Sequence, residues 1–281
     1  MSTFSFVLIG SGVLLRSTIN EITENQGCIK LIYVDNPTDT KRYESFHRVK
    51  QVTEVEQDFN DLKAIIDSST WLLSVDNKKL LSAEILSLFK GKALNFHPGI
   101  LPNYKGLYCY QWAVANGEKE FAATIHFMEP VVDAGDIVIE RRFPIEDKDT
   151  GFSIYQKSLK NGQQAIESVL SKIFNQVDLP RVSQTSEMTN IWGRAKPYQI
   201  EIEWDKTPKH IINSLRASNF YPFKPPAFQV CFNGIPVIQG EKLKITTTEL
   251  PGTILNVQGQ TVRVAVIGNS VIEIQLLPIE S

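Results

Sequence analysis

Apolar residues open this chain in short runs separated by helically spaced stretches. Residues 4–9 (FSFVLI) are almost continuously apolar and stop at Gly10-Ser11-Gly12, which predicts a buried strand and a tight turn. Leu14, Leu15, Ile19 and Ile22 then fall on one helical face, and residues 28–34 return to a strand pattern. Residues 62–66 predict a helix and 71–75 a strand. Residues 80–89 predict a helix with a wide apolar face, and 93–96 a strand. Strands alternating with helices predict a parallel, doubly wound α/β sheet. Residues 121–128 and 137–143 add two strands, and 153–174 a long helix able to cover the sheet.

The pattern changes in the last third. Residues 176–204 are mixed and polar with little periodicity, and read as a linker. Thr207-Pro208 starts a helix, with Thr as cap and Pro at the first helical position, and Ile211, Ile212 and Leu215 form its apolar face. Asn233-Gly234, Gln258-Gly259 and Gly268-Asn269 are tight-turn pairs among short β-rich runs at 227–232, 235–239, 253–257, 261–267 and 271–277. A small antiparallel barrel or sandwich is expected there.

Composition narrows the function classes. A chain of 281 residues accommodates two cores. A net charge of −2 gives no general attraction to nucleic acid or anionic lipid. Cys28, Cys109 and Cys231 show neither a disulfide framework nor a metal spacing, so each is expected to be a buried structural thiol in a reducing cytoplasm. The start of the chain has no basic leader, and no apolar run approaches the ~20 residues of a membrane helix. A cytoplasmic protein without a membrane partner is therefore expected.

The chemistry gathers in Asn95-Phe96-His97-Pro98-Gly99-Ile100-Leu101-Pro102-Asn103-Tyr104-Lys105-Gly106 and, later, Val132-Asp133-Ala134-Gly135-Asp136. Asn95 and His97 lie two apart at a strand end, so both side chains project to one side, and Pro98 keeps His97 extended. The prolines and glycines that follow make a stiff loop of the kind that holds binding groups. Asp133 sits in an Asp-Ala-Gly turn. Each residue also has a plain structural reading: a cap, a satisfied strand-end histidine, a turn aspartate. Gly10-Ser11-Gly12 is not a dinucleotide fingerprint, because Leu15 stands where a third glycine belongs; it reads as a tight turn with room for an anion at the helix start.

Together these residues resemble the 10-formyltetrahydrofolate-dependent formyltransferase family, whose members carry a pattern like N-x-H-P-S-x-L-P-x-[YWF]-[KR]-G followed by D-x-G-[DQ]. Asn95, His97, Pro98, Leu101, Pro102, Tyr104, Lys105 and Gly106 match, Asp133 follows His97 by 36 residues, and Gly99 replaces a frequent Ser. The resemblance implies a Rossmann-like doubly wound formyltransferase domain over 1–175, a linker over 176–204 and a small, mostly antiparallel OB-like domain over 205–281. It implies Asn95, His97 and Asp133 as the catalytic groups, with no metal and no covalent intermediate. N10-formyltetrahydrofolate is the implied co-substrate, held along Asp76, Asn77, Lys78 and Leu80 and near Val132 and Asp136. Gly10, Ser11, Tyr104, Lys105 and Arg194 are the expected substrate contacts. Gly193-Arg194 and Lys196-Pro197 resemble a stretch of sugar-nucleotide formyltransferases, and the segment between Val34 and Val52 is shorter than in tRNA formyltransferases. An amino-sugar nucleotide is therefore the expected acceptor. Lys41, Arg42, Arg48 and Lys50, interleaved with Tyr43, Phe46 and His47, form a modest basic cluster whose plain reading is a solvated loop. Methionyl-tRNA or another biosynthetic amine stays open as acceptor, as do formyl-folate hydrolysis and a silent folate-binding module. A homodimer is expected by family analogy.

Overall fold

Five parallel strands form the spine of the computed structural model, which describes residues 4–35, 37–44, 48–184 and 190–278. They are β1 (Ser5–Gly10), β2 (Cys28–Val34), β3 (Val49–Gln51), β4 (Thr70–Val75) and β5 (Ala93–His97). β6 (Lys105–Gly106) lies outside this sheet, whereas β7 (Glu120–Phe127) and β8 (Ile137–Pro144) extend it. The order is β3-β2-β1-β4-β5-β7-β8, with β7 antiparallel to β5. This is the expected doubly wound sheet.

Both faces of the spine are apolar because both are covered. Phe6, Leu8, Leu73, Leu94 and Phe96 pack with Leu15, Ile19 and Ile22 of α1 (Gly12–Glu24) and with Ile166, Val169 and Leu170 of the long helix over 151–174. Val7, Ile9, Leu31 and Leu72 pack with Leu62, Ile85, Leu86 and Phe89 on the opposite face. Each such side chain contributes about 1.5–3 kcal/mol relative to exposure. A Cβ at Gly162 would lie 2.3 Å from the Phe96 ring, so the glycine lets the long helix seat on β5.

The helices of the opposite face differ from the sequence expectation. After α2 (Pro37–Tyr43), α3 runs Phe59–Ile65 and α4 runs Ala83–Leu88. Ser82 caps α4 by accepting the Ile85 N–H, so the helix starts three residues later than its apolar pattern, and Leu80 is left 66% exposed. Cys109 and Cys231 are buried, but Cys28 is exposed, contrary to expectation, because it opens β2 at the sheet's amino edge.

Two compact units emerge, each assembled from separate stretches of chain. One comprises Met1–Lys105, Ala122–Arg142 and Ser158–Asn190; the other comprises Gly106–Phe121, Phe143–Lys157 and Ile191–Ser281. The second unit contains α5 (Cys109–Asn116), the start of α6 (Gly151–Phe174), and α7 (Pro208–Ser218). Its strands are β9 (Ile191–Trp192), β10 (Gln199–Glu201), β11 (Gln229–Phe232), β12 (Ile235–Thr246), β13 (Ile254–Gln258), β14 (Thr261–Val266) and β15 (Ser270–Leu276). Six of them form a sheet in the order β10-β11-β12-β15-β14-β13, antiparallel except for β10 on β11. α7 begins as expected, with Thr207 accepting from the His210 N–H and Pro208 as first helical residue. Gln111 of α5 ties this unit together by donating to the Phe228 carbonyl and accepting from the Ala227 N–H.

Candidate active site

The carboxyl ends of β1, β4 and β5 converge where strand order changes direction, the usual ligand position in such sheets. β5 carries Asn95 and His97 on the face shared with Ala93, while Leu94 and Phe96 turn into the other core. Across the ladder, His126 stands opposite Asn95 and Thr124 opposite His97. The strand period of two therefore places four polar side chains on one patch.

His97 is 3% exposed, and its Nε2 donates to the Tyr104 carbonyl, which only accepts. Its Nδ1 faces Asp133 Oδ2 at 3.4 Å. Burial holds the imidazole below its ordinary range, against the upward pull of Asp133. The other carboxylate oxygen, Oδ1, lies 3.3 Å from His126 Nε2, which is itself 3.2 Å from Asn95 Nδ2. Asn95, His97, Asp133 and His126 thus form one connected cluster inside the first unit.

Asp133 reaches the cluster from a turn in the left-handed region, at φ 47°. Gln184 braces that turn: its Nε2 donates to the carbonyls of Asp133 and Gly135 at 2.8 and 2.7 Å. Its Oε1 is buried without a hydrogen-bond partner among the described residues. Nearby, Val182 and Ile137 exchange backbone hydrogen bonds, Ser183 donates to Asp136, and the Arg181 guanidinium lies 3.5 Å over the Phe127 ring centroid. The segment read as the beginning of a linker is therefore a brace for the Asp133 turn.

The remaining expected site residues fall as follows. Gly10 ends β1 with no room for a side chain, since a Cβ would lie 2.0 Å from the Val75 carbonyl oxygen; Ser11 donates to the Asp76 carbonyl. Asp76 follows β4 at φ 50°, and Asn77 folds the next residues by bonding Ser74 and Lys79. Tyr104 is buried and holds His97 through its backbone; Lys105 is close enough to disfavour a charged His97. Val132 is half-buried on the turn, and the Asp136 carboxylate is engaged by Ser183 and Arg181. Arg194 belongs to the second unit, where it donates to the Pro226 carbonyl. The basic cluster proves to be paired in part with nearby carboxylates. Lys50 meets Asp58 and Asp61, and Arg48 meets Asp61. Phe46 and His47 lie outside the described residues.

Sequence reasoning missed His126 and Gln184. A polar pair at Thr124 and His126 interrupting an apolar strand was the signal for the first; nothing local marks the second. Gly99, noted as a departure from a frequent Ser, has a geometric cause. A Cβ there would lie 2.3 Å from His97 Nε2 and 2.6 Å from the Tyr104 carbonyl oxygen, so glycine leaves room for their hydrogen bond. Among the described residues no group of three or more His, Cys, Asp and Glu is arranged to hold a metal ion, and no helix is long and apolar enough to cross a membrane.

A doubly wound sheet with buried titratable groups at its strand ends defines an α/β protein of enzyme layout. The formyl transferase family model matches residues 9–170, more than half of the chain, and the protein belongs to that family. The bifunctional polymyxin resistance protein ArnA of Wigglesworthia glossinidia brevipalpis is 31% identical over 183 residues, 64% of this chain; the matched part spans only 27% of that relative. Among solved structures, WlaRD, a sugar 3N-formyl transferase studied with dTDP and 5-N-formyl-THF, superposes with a TM-score of 0.78 at 18% identity over 100% of both chains. The N-formyltransferase from Helicobacter canadensis, in complex with folinic acid and dTDP-3-aminofucose, gives 0.78 at 18% identity, covering 98% of this chain and 100% of its own. HypX from Aquifex aeolicus gives 0.66 at 19%, covering 97% of this chain and 44% of its own.

Proposed function

We propose that this protein transfers a formyl group from N10-formyltetrahydrofolate to the amine of an amino-sugar nucleotide. The observation that carries the reading is the convergence of Asn95, His97 and Asp133 at the carboxyl end of β5, in a chain of the formyl transferase family. The folate supplies an activated formyl carbonyl on a nitrogen leaving group. Attack by the amine forms the new C–N bond, the bond to N10 breaks, and one proton moves from the amine to N10. Negative charge builds on the formyl oxygen, and the Asn95 amide is a fixed donor for it. The departing proton has the His97–Asp133 pair as its acceptor, with His97 kept neutral by burial before the reaction. No side-chain nucleophile is needed. Cys109 is buried, with its thiol turned to the Gly106 carbonyl.

The turn after β4, Asp76 to Leu80, is our assignment for the folate, mainly through backbone groups, with Val132 on the opposite turn. The sugar-nucleotide reading is supported by the folate and dTDP-linked ligands of the WlaRD and Helicobacter canadensis relatives and by the pairing of Arg48 and Lys50 with Asp58 and Asp61. The test is turnover of 10-formyltetrahydrofolate against a panel of amino-sugar nucleotides, with initiator methionyl-tRNA and water as controls. Formylation of one nucleotide is expected, lost in Asn95→Ala and Asp133→Asn while folate binding persists. Turnover only with tRNA or only with water refutes the acceptor assignment; undiminished turnover in both variants refutes the mechanism.

A further inference from the structure

His126 plays no part in the chemistry above, yet its surroundings are specific. It is 3% exposed on β7, and its Nδ1 lies 2.7 Å from the Phe127 carbonyl. A carbonyl only accepts, so Nδ1 carries a hydrogen, and in the neutral ring Nε2 is then a lone-pair acceptor. That nitrogen has two neighbours with opposite needs. The Asn95 amide N–H, with Nδ2 at 3.2 Å, requires a lone pair; Asp133 Oδ1, at 3.3 Å, requires a hydrogen. One nitrogen cannot serve both at once. His97 shows the converse arrangement, with the hydrogen on Nε2 toward Tyr104 and Nδ1 turned to Asp133. The neutral forms of the two histidines are therefore opposite tautomers on either side of one carboxylate.

We infer that His126 is a positioning residue whose Nε2 lone pair sets the amide of Asn95. The neutral ring accepts one Asn95 N–H and so keeps the amide's donor end in the reaction site. Without that lone pair the amide is free to reverse and to withdraw its donor from the formyl oxygen. The charged and titratable groups bearing on this corner are His97 from β5, Asp133 from the turn, Lys105 acting on His97, and the Asp136–Arg181 pair on the far side of the turn. The catalytic consequence rests on the formyl-transfer reading; the tautomer and the amide hold do not.

Two measurements on the full chain test this. The chain has four histidines, so 15N-histidine NMR assigned with His126→Gln resolves each ring. At pH 8 the His126 ring is expected protonated at Nδ1 and the His97 ring at Nε2. An Nε2-protonated His126 at pH 8 overturns the inference whatever the enzyme's acceptor. The second measurement is kcat and KM at pH 8. His126→Gln offers an acceptor oxygen to Asn95 and is expected to stay within about threefold of wild type. His126→Ala is expected to lose about tenfold or more, in kcat rather than KM. Activity in His126→Gln as low as in His126→Ala, or full activity in His126→Ala, overturns the role. Absence of formyl transfer in the wild type refutes the functional reading instead and leaves the NMR result to decide the tautomer.

Discussion

Replacing Gln184 by Glu keeps the shape of the side chain and reverses its hydrogen bonding. The amide nitrogen donates to two carbonyl oxygens, those of Asp133 and Gly135, at 2.8 and 2.7 Å. A net value of about 1 kcal/mol for each bond makes Gln184→Ala about 2 kcal/mol less stable. Glu at this site adds repulsion, because a carboxylate oxygen faces the same two carbonyl oxygens with nothing to donate. Gln184→Glu is therefore expected to exceed the alanine loss at pH 8. Acidification should recover part of it, since a protonated carboxyl regains one donor. The turn also carries Asp133 at φ 47°, a conformation its surroundings have to enforce. A displacement of roughly 1 Å in a catalytic group costs about 100-fold in rate, so with the role proposed for Asp133 both variants should lose kcat well beyond their loss of stability. Urea unfolding at pH 8 and pH 5.5, with amide exchange at Phe127 and Ile137 reporting the first unit, reads the stability; steady-state formyl transfer reads the rate. Wild-type stability and kcat in Gln184→Glu at pH 8 would show that the segment after α6 does not brace the site.

Gly99→Ser should break the His97–Tyr104 hydrogen bond, because the new Cβ would fall 2.3 Å from His97 Nε2. The expected result is a changed His97 15N signature and about tenfold lower kcat/KM; an unchanged signature contradicts the steric account. In the second unit, burial raises the Asp149 carboxyl, but Lys157, the Glu146 N–H and Ser153 outweigh it and hold the group below the usual carboxylate range. A depressed folded value stabilises above the unfolded value and loses that contribution as pH falls through the folded one. Asp149→Asn is therefore expected to lower stability at pH 7 and to flatten the acid side of the stability profile. An acid profile identical to wild type would assign that slope to other carboxylates.

Much of the first unit was legible in the chain because its elements obey local rules. A strand covered on both faces must be apolar along its middle, as residues 6–9 are, and a helix lying on such a sheet must show the spacing of Leu15, Ile19 and Ile22. Where a boundary is set by one hydrogen bond, the pattern misled: Leu80 and Leu81 continue the apolar run, yet Ser82 starts the helix. Asn95 and His97 were readable as a pair because two residues on an extended strand always share a side.

What lies beyond local rules came from pairing across the chain. The order of strands brings β7 beside β5 and so sets His126 opposite Asn95, a relation that no spacing along the sequence encodes. The return of residues 181–184 to the Asp133 turn likewise converts a stretch without periodicity into a support for the site. By itself the sequence determined the strongly patterned strands and helices and brought Asn95 and His97 forward as candidates. Tertiary structure alone decided which nitrogen of His97 and which of His126 meets a carbonyl oxygen. That choice is made by carbonyl oxygens, Tyr104 for one ring and Phe127 for the other, and every residue carries the same carbonyl until the fold aims it.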